Sequence, residues 1–256
     1  MRSVIRIRKR CLRVSLHRTV SVSGGRLDRT IPYNISLGCA MEKPIVLRDT
    51  PLTRALHTKI RDQFSSRHTF VTCSDRLVQM LLEEACALLP TEEVTVDTPC
   101  GPFQGVRLPE EESLCAVSIM RGADCMLGVV RTMMPSIAVG KILIQRDEAT
   151  ALPQLMYSKL PPDISSRPAV LLLDPMLATG GSAVAALKVL IQQGVEPRKV
   201  IFVNVVCAKE GIEAVKAAYP EVRIVTSAVD PILNEKKYIV PGLGDFGDRY
   251  FGTDGS

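Results

Sequence analysis

From Leu114 to Ala228 the chain alternates short apolar runs with segments of helical periodicity, and few folds accommodate that order. The runs are Leu114 to Met120, Lys141 to Gln145, Ala169 to Leu173, Val200 to Val206 and Arg223 to Ala228. Helical stretches follow the first run to Met134 and then cover about Ser182 to Gln193 and Glu210 to Ala218. Strands apolar at nearly every position must be covered on both faces, and strands joined by helices run parallel. The pattern predicts an α/β fold with a doubly wound, mostly parallel sheet.

Upstream, Ser74-Asp75 reads as the cap of a helix to about Leu89, with Leu77, Leu81, Ala85 and Leu88 on one stripe and Pro90 beyond it. Val94 to Val96 and Phe103 to Leu108 flank Thr98-Pro99-Cys100-Gly101-Pro102, the pattern of a β-hairpin. Between Arg146 and Ser166 the text turns polar and contains Pro153, Pro161 and Pro162, too long for an ordinary connector, which predicts a protruding hairpin or lid.

Charge separates the chain into two parts. Residues 1–29 hold nine Lys/Arg against the single acid Asp28, whereas the rest carries 23 basic and 26 acidic residues. The net charge of +5 therefore belongs to the tail, and the body has no excess of positive charge to offer a nucleic acid. Residues 1–40 read as a basic, disordered extension, and residues 41–256 as one domain. The Arg- and Ser-rich start is similar to a mitochondrial transit peptide; a plain extension, or coding sequence upstream of a start at Met41, fits it as well. Otherwise a cytoplasmic location is expected. No uncharged apolar run approaches the roughly 20 residues needed to span a bilayer, so no membrane partner is expected. Eight cysteines include no Cys-x-x-Cys pair and read as buried thiols in a reducing compartment.

The chemistry concentrates in Leu171-Leu172-Leu173-Asp174-Pro175-Met176-Leu177-Ala178-Thr179-Gly180-Gly181-Ser182-Ala183. A buried strand ends in a carboxylate, and a turn of small and hydroxyl residues opens a helix. Free N–H groups at a helix start, hydroxyls and glycines form a cup for one phosphate, and in open α/β sheets ligands bind at this end of the strands. The loop lacks the Lys of a Walker motif. All three histidines lie at or before His68, so a Ser-His-Asp hydrolase is not the expected chemistry of this region.

This string resembles the phosphoribosyl diphosphate (PRPP) motif of type I phosphoribosyltransferases, in the form found in uracil phosphoribosyltransferases, where Asp is followed by Pro. Three further blocks resemble the same family in the same order: Val117-Ser118-Ile119-Met120-Arg121-Gly122-Ala123, Lys141 to Glu148, and Tyr238 to Thr253. The similarity covers about residues 45 to 254 and is strongest to the protozoan branch. The last block also fits a Gly-x-Gly-x-x-Gly dinucleotide fingerprint at Gly242, Gly244 and Gly247, but only nine residues follow Gly247, too few for the helix and ribose-binding acid of that fold.

The resemblance implies transfer of phosphoribose from PRPP to uracil, giving UMP and pyrophosphate in pyrimidine salvage. It implies PRPP binding by Arg121, Arg146, Asp174, Pro175, Met176, Leu177, Ala178, Thr179, Gly180, Gly181, Ser182 and Asp245. Asp174 would face the ribose hydroxyls and Thr179 to Ser182 the 5′-phosphate. Arg121, Arg146 and Asp245 would act in catalysis. Tyr238, Ile239, Gly244, Asp245 and Phe246 would form a C-terminal hook for uracil. Mg²⁺ would be held through PRPP and water with no direct protein ligand. GTP is implied as an effector, and a homodimer or homotetramer as the assembly. Main-chain groups of a glycine-rich hook can match the O2, N3–H and O4 edge of uracil, whereas cytosine inverts it.

One departure stands out: the family has Arg-Ala-Gly where this chain has Arg121-Gly122-Ala123. If the later position needs an unusual backbone angle, alanine there weakens pyrophosphate binding; since Gly122 still keeps the loop small, the swap is expected to be tolerated. Two other classes stay open: a catalytically silent paralogue that binds nucleotide or PRPP, which this order favours, and an RNA-binding regulator of the same fold, which the basic tail suggests and the charge of the body opposes.

Overall fold

A computed structural model describes residues 43–146 and 153–253, with Arg146 described in its backbone. Strand β1 (Ile45–Val46) leads to helix α1 (Pro51–Arg61). This helix starts in a reciprocal cap: Thr53 N–H donates to Thr50 Oγ1 (3.1 Å) and Thr50 N–H to Thr53 Oγ1 (2.9 Å). Pro51 occupies the first turn, where a missing N–H costs nothing.

Helix α2 (Arg67–Cys86) begins at an N-cap on Ser66, whose Oγ accepts from Thr69 N–H (3.2 Å). The expected start at Ser74-Asp75 is therefore corrected by two turns, and Ser74 lies buried within the helix. Thr69, Phe70, Val71 and Thr72 weaken local helix propensity and hide the true start from sequence. Burial of Phe70 and Cys73 overrides that preference. Leu77, Leu81 and Ala85 are buried as expected, and the helix ends before Leu88.

Strands β2 (Glu92–Thr98) and β3 (Gly101–Arg107) form the expected antiparallel hairpin, with Thr98 opposite Gly101 across the two-residue turn Pro99-Cys100. Cys100 is exposed there, which corrects the reading of all the cysteines as buried. Cys73, Cys115, Cys125 and Cys207 are buried and Cys86 is half-buried, all of them free thiols, while Cys11 and Cys39 lie outside the described residues.

The body follows as β4 (Cys115–Met120), α3 (Asp124–Met133), β5 (Ala138–Arg146), β6 (Pro153–Lys159), β7 (Val170–Leu173), β8 (Met176–Leu177), α4 (Gly181–Gln192), β9 (Val200–Ala208), α5 (Lys209–Ala218) and β10 (Arg223–Asp230). The main sheet has the order β1-β10-β9-β7-β4-β5-β6, with β8 continuing the line of β7 beside β9. Among the described residues its neighbours pair in parallel except β5 and β6. That antiparallel pair is the hairpin expected after Arg146; its tip, 147–152, lies outside the described residues.

Alternate side chains of each strand enter opposite layers. Ala116, Leu171, Leu173, Ile201 and Val203 pack with α1, α2 and α3, whereas Cys115, Val117, Val170, Leu172 and Phe202 pack with α4 and α5. Chain order leaves β4 to one side for β5 and to the other for β7, so the sheet's switch point falls between β4 and β7. The loops after those two strands flank the crevice where such sheets bind ligands.

The chain closes with the two-stranded pair β11 (Ile232–Leu233) and β12 (Ile239–Val240) and the short helix α6 (Phe246–Phe251). This segment is anchored by Phe246, buried with its ring centroid 5.1 Å from Phe70 in an edge contact and 6.0 Å from Tyr250 in a stacked one. Phe246→Ala is expected to lower unfolding free energy by about 3–5 kcal/mol. Urea denaturation checks this, and a loss below about 1 kcal/mol would mean that the anchor lies elsewhere.

Candidate active site

The ladder between β7 and β9 is interrupted where β7 ends. Asp174 N–H still donates to Val203 O (3.2 Å), but Pro175 has no N–H, and its carbonyl accepts from both Val205 (3.1 Å) and Val206 (3.0 Å). Strand β8 then resumes pairing, with Met176 opposite Val206 and Leu177 opposite Cys207. The half-buried Asp174 accepts from Met176 N–H (3.3 Å), and desolvation, partly offset by that bond, pushes its carboxyl up to about 7.

Beyond β8, Ala178 and Thr179 are half-buried, and Gly180 caps α4 with φ +82°. The helix therefore opens at Gly181, one residue before the expected start. A Cβ on Gly180 would lie 2.8 Å from Ala214 Cβ, so glycine is required by both angle and space. Gly211 on α5 presses on the loop from behind, since a Cβ there would be 2.7 Å from both Leu177 O and Ala178 O. This residue escaped the sequence reading; its signal is a glycine in the first turn of a helix, too common to single it out.

Thr179 Oγ1 lies 3.5 Å from Gly181 N–H as acceptor, and the N–H groups of the first turn of α4 stand at the free end of the helix dipole. Pro175 and Leu177 are buried, and the Pro175 carbonyl is taken by Val205 and Val206, so Pro175 shapes the turn without a free polar group of its own.

The loop after β4 meets this cup directly. A Cβ on Gly122 would lie 3.3 Å from Pro175 Cγ. The Met120–Arg121 peptide is cis. Ala123 has φ −75° and ψ −8°, ordinary helical values, so the Gly122-Ala123 order demands no unusual angle at the second position. Arg121 donates to Asp248 Oδ1 (2.6 Å) and Thr253 Oγ1 (2.7 Å), and the bonds that Asp248 accepts from Arg121 and from the Thr253 hydroxyl (2.7 Å) hold its carboxyl below the usual range. Arg146 stands at the end of β5 opposite Pro153, whose ring would be 3.8 Å from a Cβ on Gly181. Its strand partner Pro153 therefore borders the start of α4.

The C-terminal segment supplies the third side. Gly242 (φ +57°) and Gly244 (φ +83°) turn the chain, and the Val240–Pro241 peptide is cis. Asp245 caps α6 by accepting from Asp248 N–H (2.9 Å). A Cβ on Gly247 would lie 3.4 Å from Asp245 Oδ1 and 3.5 Å from the Arg121 guanidinium, so Arg121 and Asp245 share one small space. Tyr238 is exposed, whereas the side chains of Ile239 and Phe246 are buried and leave their main chain for recognition.

The segment rests on a clasp that sequence reading missed. Arg61 from α1 forks onto Asp230 (both 2.8 Å) and donates to Gly242 O (2.8 Å), while Gly242 N–H donates to Asp230 Oδ2 (2.9 Å). Arg249 donates to Ile60 O (2.6 Å), Leu243 O (2.6 Å) and Asp62 O (2.7 Å). Only the separation of these residues in sequence hid them.

Among the described residues no group of three or more His, Cys, Asp or Glu side chains converges as a metal cage. Asp174, Asp245 and Asp248 are carboxylates of this face among the described residues, the last paired with Arg121. That donor set fits a Mg²⁺ ion that draws further ligands from substrate oxygens and water.

A doubly wound sheet with a glycine loop opening a helix at its switch point, faced by the loop after β4 and a glycine-rich C-terminal segment, has the architecture of a type I phosphoribosyltransferase. A family model for uracil phosphoribosyltransferase matches residues 46–253, and the chain belongs to that family. It is 47% identical over 214 residues to the uracil phosphoribosyltransferase of Dictyostelium discoideum, covering 83% of this chain and 98% of that protein. It is 51% identical over 207 residues to that of Saccharomyces cerevisiae, covering 80% and 94%. Similarity of this size to an amoeba and a yeast singles out no protozoan branch. Among solved structures, the AQ2163 protein of Aquifex aeolicus superposes with a TM-score of 0.70 at 34% identity, covering 81% of this chain and 97% of that one.

The raised Asp174 carboxyl has a consequence for stability. Its folded value, about 7, lies above its ordinary 3.8, so the neutral form stabilises the fold and that contribution is lost as pH rises from about 4 through 7. Asp174→Asn, a mimic of the neutral carboxyl, is expected to melt at least about 2 °C above the parent at pH 8 and within about 1 °C of it at pH 4. Thermal melts across that range check the sign; a parent more stable than the variant at pH 8 would contradict it.

Proposed function

We propose that the chain uses this site to transfer phosphoribose from PRPP to N1 of uracil, forming UMP and releasing pyrophosphate. The observation that carries the reading is the meeting of the three segments, Gly122 against Pro175 and Gly247 between Arg121 and Asp245. In this reading the Asp174–Ser182 loop binds PRPP, with Pro175 shaping the turn, the main chain of Met176, Leu177 and Ala178 lining it, and Thr179, Gly180, Gly181 and Ser182 holding the 5′-phosphate. Asp174 accepts from the ribose hydroxyls. Tyr238, Ile239, Gly244, Asp245 and Phe246 present the uracil edge with matching groups, mostly main chain.

The N1–C1′ bond forms as the C1′–O bond to pyrophosphate breaks, its electron pair leaving with pyrophosphate and the N1 proton passing to water. Arg121 and Arg146 hold the departing charge, which favours the transition state over the ground state. Asp245 orients N1 or the water shell of the metal. Mg²⁺, when bound, would neutralise pyrophosphate oxygens.

Ala123's ordinary helical angle supports catalysis over a silent paralogue, because the Gly122-Ala123 order carries no backbone penalty. We further assign residues 1–40 to an extension outside the catalytic domain 41–256. A homodimer or homotetramer, GTP as effector and a cytoplasmic location, or mitochondrial if the extension acts as an import signal, complete the reading. No helix among the described residues is long and apolar enough to cross a membrane.

The test is conversion of labelled uracil to UMP with PRPP and Mg²⁺. Uracil and 5-fluorouracil are expected to turn over efficiently, with kcat/KM for cytosine and hypoxanthine lower by about 10⁴-fold, because buried main-chain groups would go unpaired. Asp174→Asn and Arg146→Ala should each reduce turnover at least about tenfold. Comparable rates with cytosine would refute the backbone hook, and parental rates in both variants would refute the site.

A further inference from the structure

Strand β9 is buried at all nine positions, yet it carries a carboxamide, Asn204, at its centre. A fully buried amide is costly unless each polar atom has a partner, so its partners say what it is for. The registers Leu173↔Val203 and Met176↔Val206 share one offset, which places Asp174 and Pro175 opposite Asn204 and Val205. In an unbroken parallel ladder the Asp174 carbonyl would accept from Val205 N–H. Here that N–H is taken by Pro175 O, and the Asp174 carbonyl instead receives Asn204 Nδ2 at 3.0 Å. The side chain of Asn204 thus replaces the ladder bond that the Asp174-Pro175 turn gives up.

The amide is held in that orientation from the other side. Thr226 on β10, in register with Asn204, donates its hydroxyl to Asn204 Oδ1 at 2.9 Å. Both residues are fully buried. Turning the amide over would bring Oδ1 against the Asp174 carbonyl, two acceptors facing each other, so the assignment of nitrogen and oxygen follows from the partners.

We propose that Asn204, oriented by Thr226, is a positioning residue for Asp174. It fixes the main chain of the Asp174-Pro175 turn so that the carboxylate meets the ribose of PRPP. The proposal rests on Asp174 being the ribose-facing acid. Neither Asn204 nor Thr226 touches substrate; both act through the turn, so their loss should fall on PRPP and spare uracil.

The experiment is steady-state kinetics with each substrate varied in turn, on Asn204→Leu, Thr226→Val, Asp174→Asn and the double variant Asn204→Leu/Asp174→Asn. Asn204→Leu keeps the branch point and the number of side-chain heavy atoms and removes both donor and acceptor. It is expected to lower kcat/KM for PRPP about tenfold with KM for uracil within about twofold of the parent, and Thr226→Val to give a smaller loss of the same kind. In the Asp174→Asn background, adding Asn204→Leu should cost less than about twofold, since residues acting through one another are not additive. A full further tenfold loss in that background, or equal effects on both substrates, would overturn the proposal. If Asn204→Leu fails to fold, Thr226→Val decides, and parental PRPP kinetics in it would overturn the proposal too. Parental PRPP kinetics in Asn204→Leu beside an impaired Asp174→Asn refutes the role of Asn204 alone. Parental kinetics in Asp174→Asn refutes the site reading and this proposal with it.

Discussion

Strands β4, β7 and β9 are covered by helices on both faces, and in such a layer an unpaired polar group costs on the order of 1–3 kcal/mol and an unpaired charge more. Polar chemistry is thereby displaced to the strand ends. At the switch point two such ends, after Met120 and after Leu173, lie side by side, so one constraint of burial brings Arg121 within reach of the Asp174 loop. Where a polar side chain does stay inside, as Asn204 and Thr226 do, its atoms are paired to one another and to the turn.

The C-terminal hook has little core of its own and borrows its rigidity. Phe246 enters the layer beneath α2, while Arg61 and Arg249 tie the loop's carbonyls to α1. Guanidinium groups suit this task because a planar fork of donors satisfies several carbonyls that no strand partner reaches. The Arg249 guanidinium also lies 4.3 Å above the Phe70 ring, joining the polar clasp to the aromatic anchor. A segment fastened this way can hold exposed main-chain groups at fixed spacing, which recognition by backbone requires.

Sequence and structure agree where a local physical pattern carries the information. Continuous burial made Val170–Leu173 and Val200–Ala208 legible as parallel strands, and the Asp174–Ser182 string was legible because strand end, glycine and helix start occur within a few residues. The start of α2 was not, because the buried Phe70 compensates for a locally unfavourable segment. The clasp between Arg61, Asp230 and Gly242 was not legible either, since its members are up to 181 positions apart and each looks like an ordinary surface residue alone. Gly211 belongs to the same class: its necessity comes from the approach of Leu177 and Ala178, which no local window contains.

The order Arg121-Gly122-Ala123 follows from the same economy of space. Position 122 faces Pro175, where a methyl would have 3.3 Å and the ring would have to give way by a few tenths of an ångström. Position 123 turns into the core ahead of α3 with ordinary helical angles, and its methyl is fully buried among the residues of that layer. Exchanging Ala-Gly for Gly-Ala therefore moves one methyl from the contact between the β4 and β7 loops into the packed interior, with no left-handed angle required at either position. The exchange keeps the volume of the pair and relieves the place where the β4 and β7 loops meet, so a swap expected from sequence to be tolerated because Gly122 keeps the loop small is, in three dimensions, a redistribution of packing behind that loop.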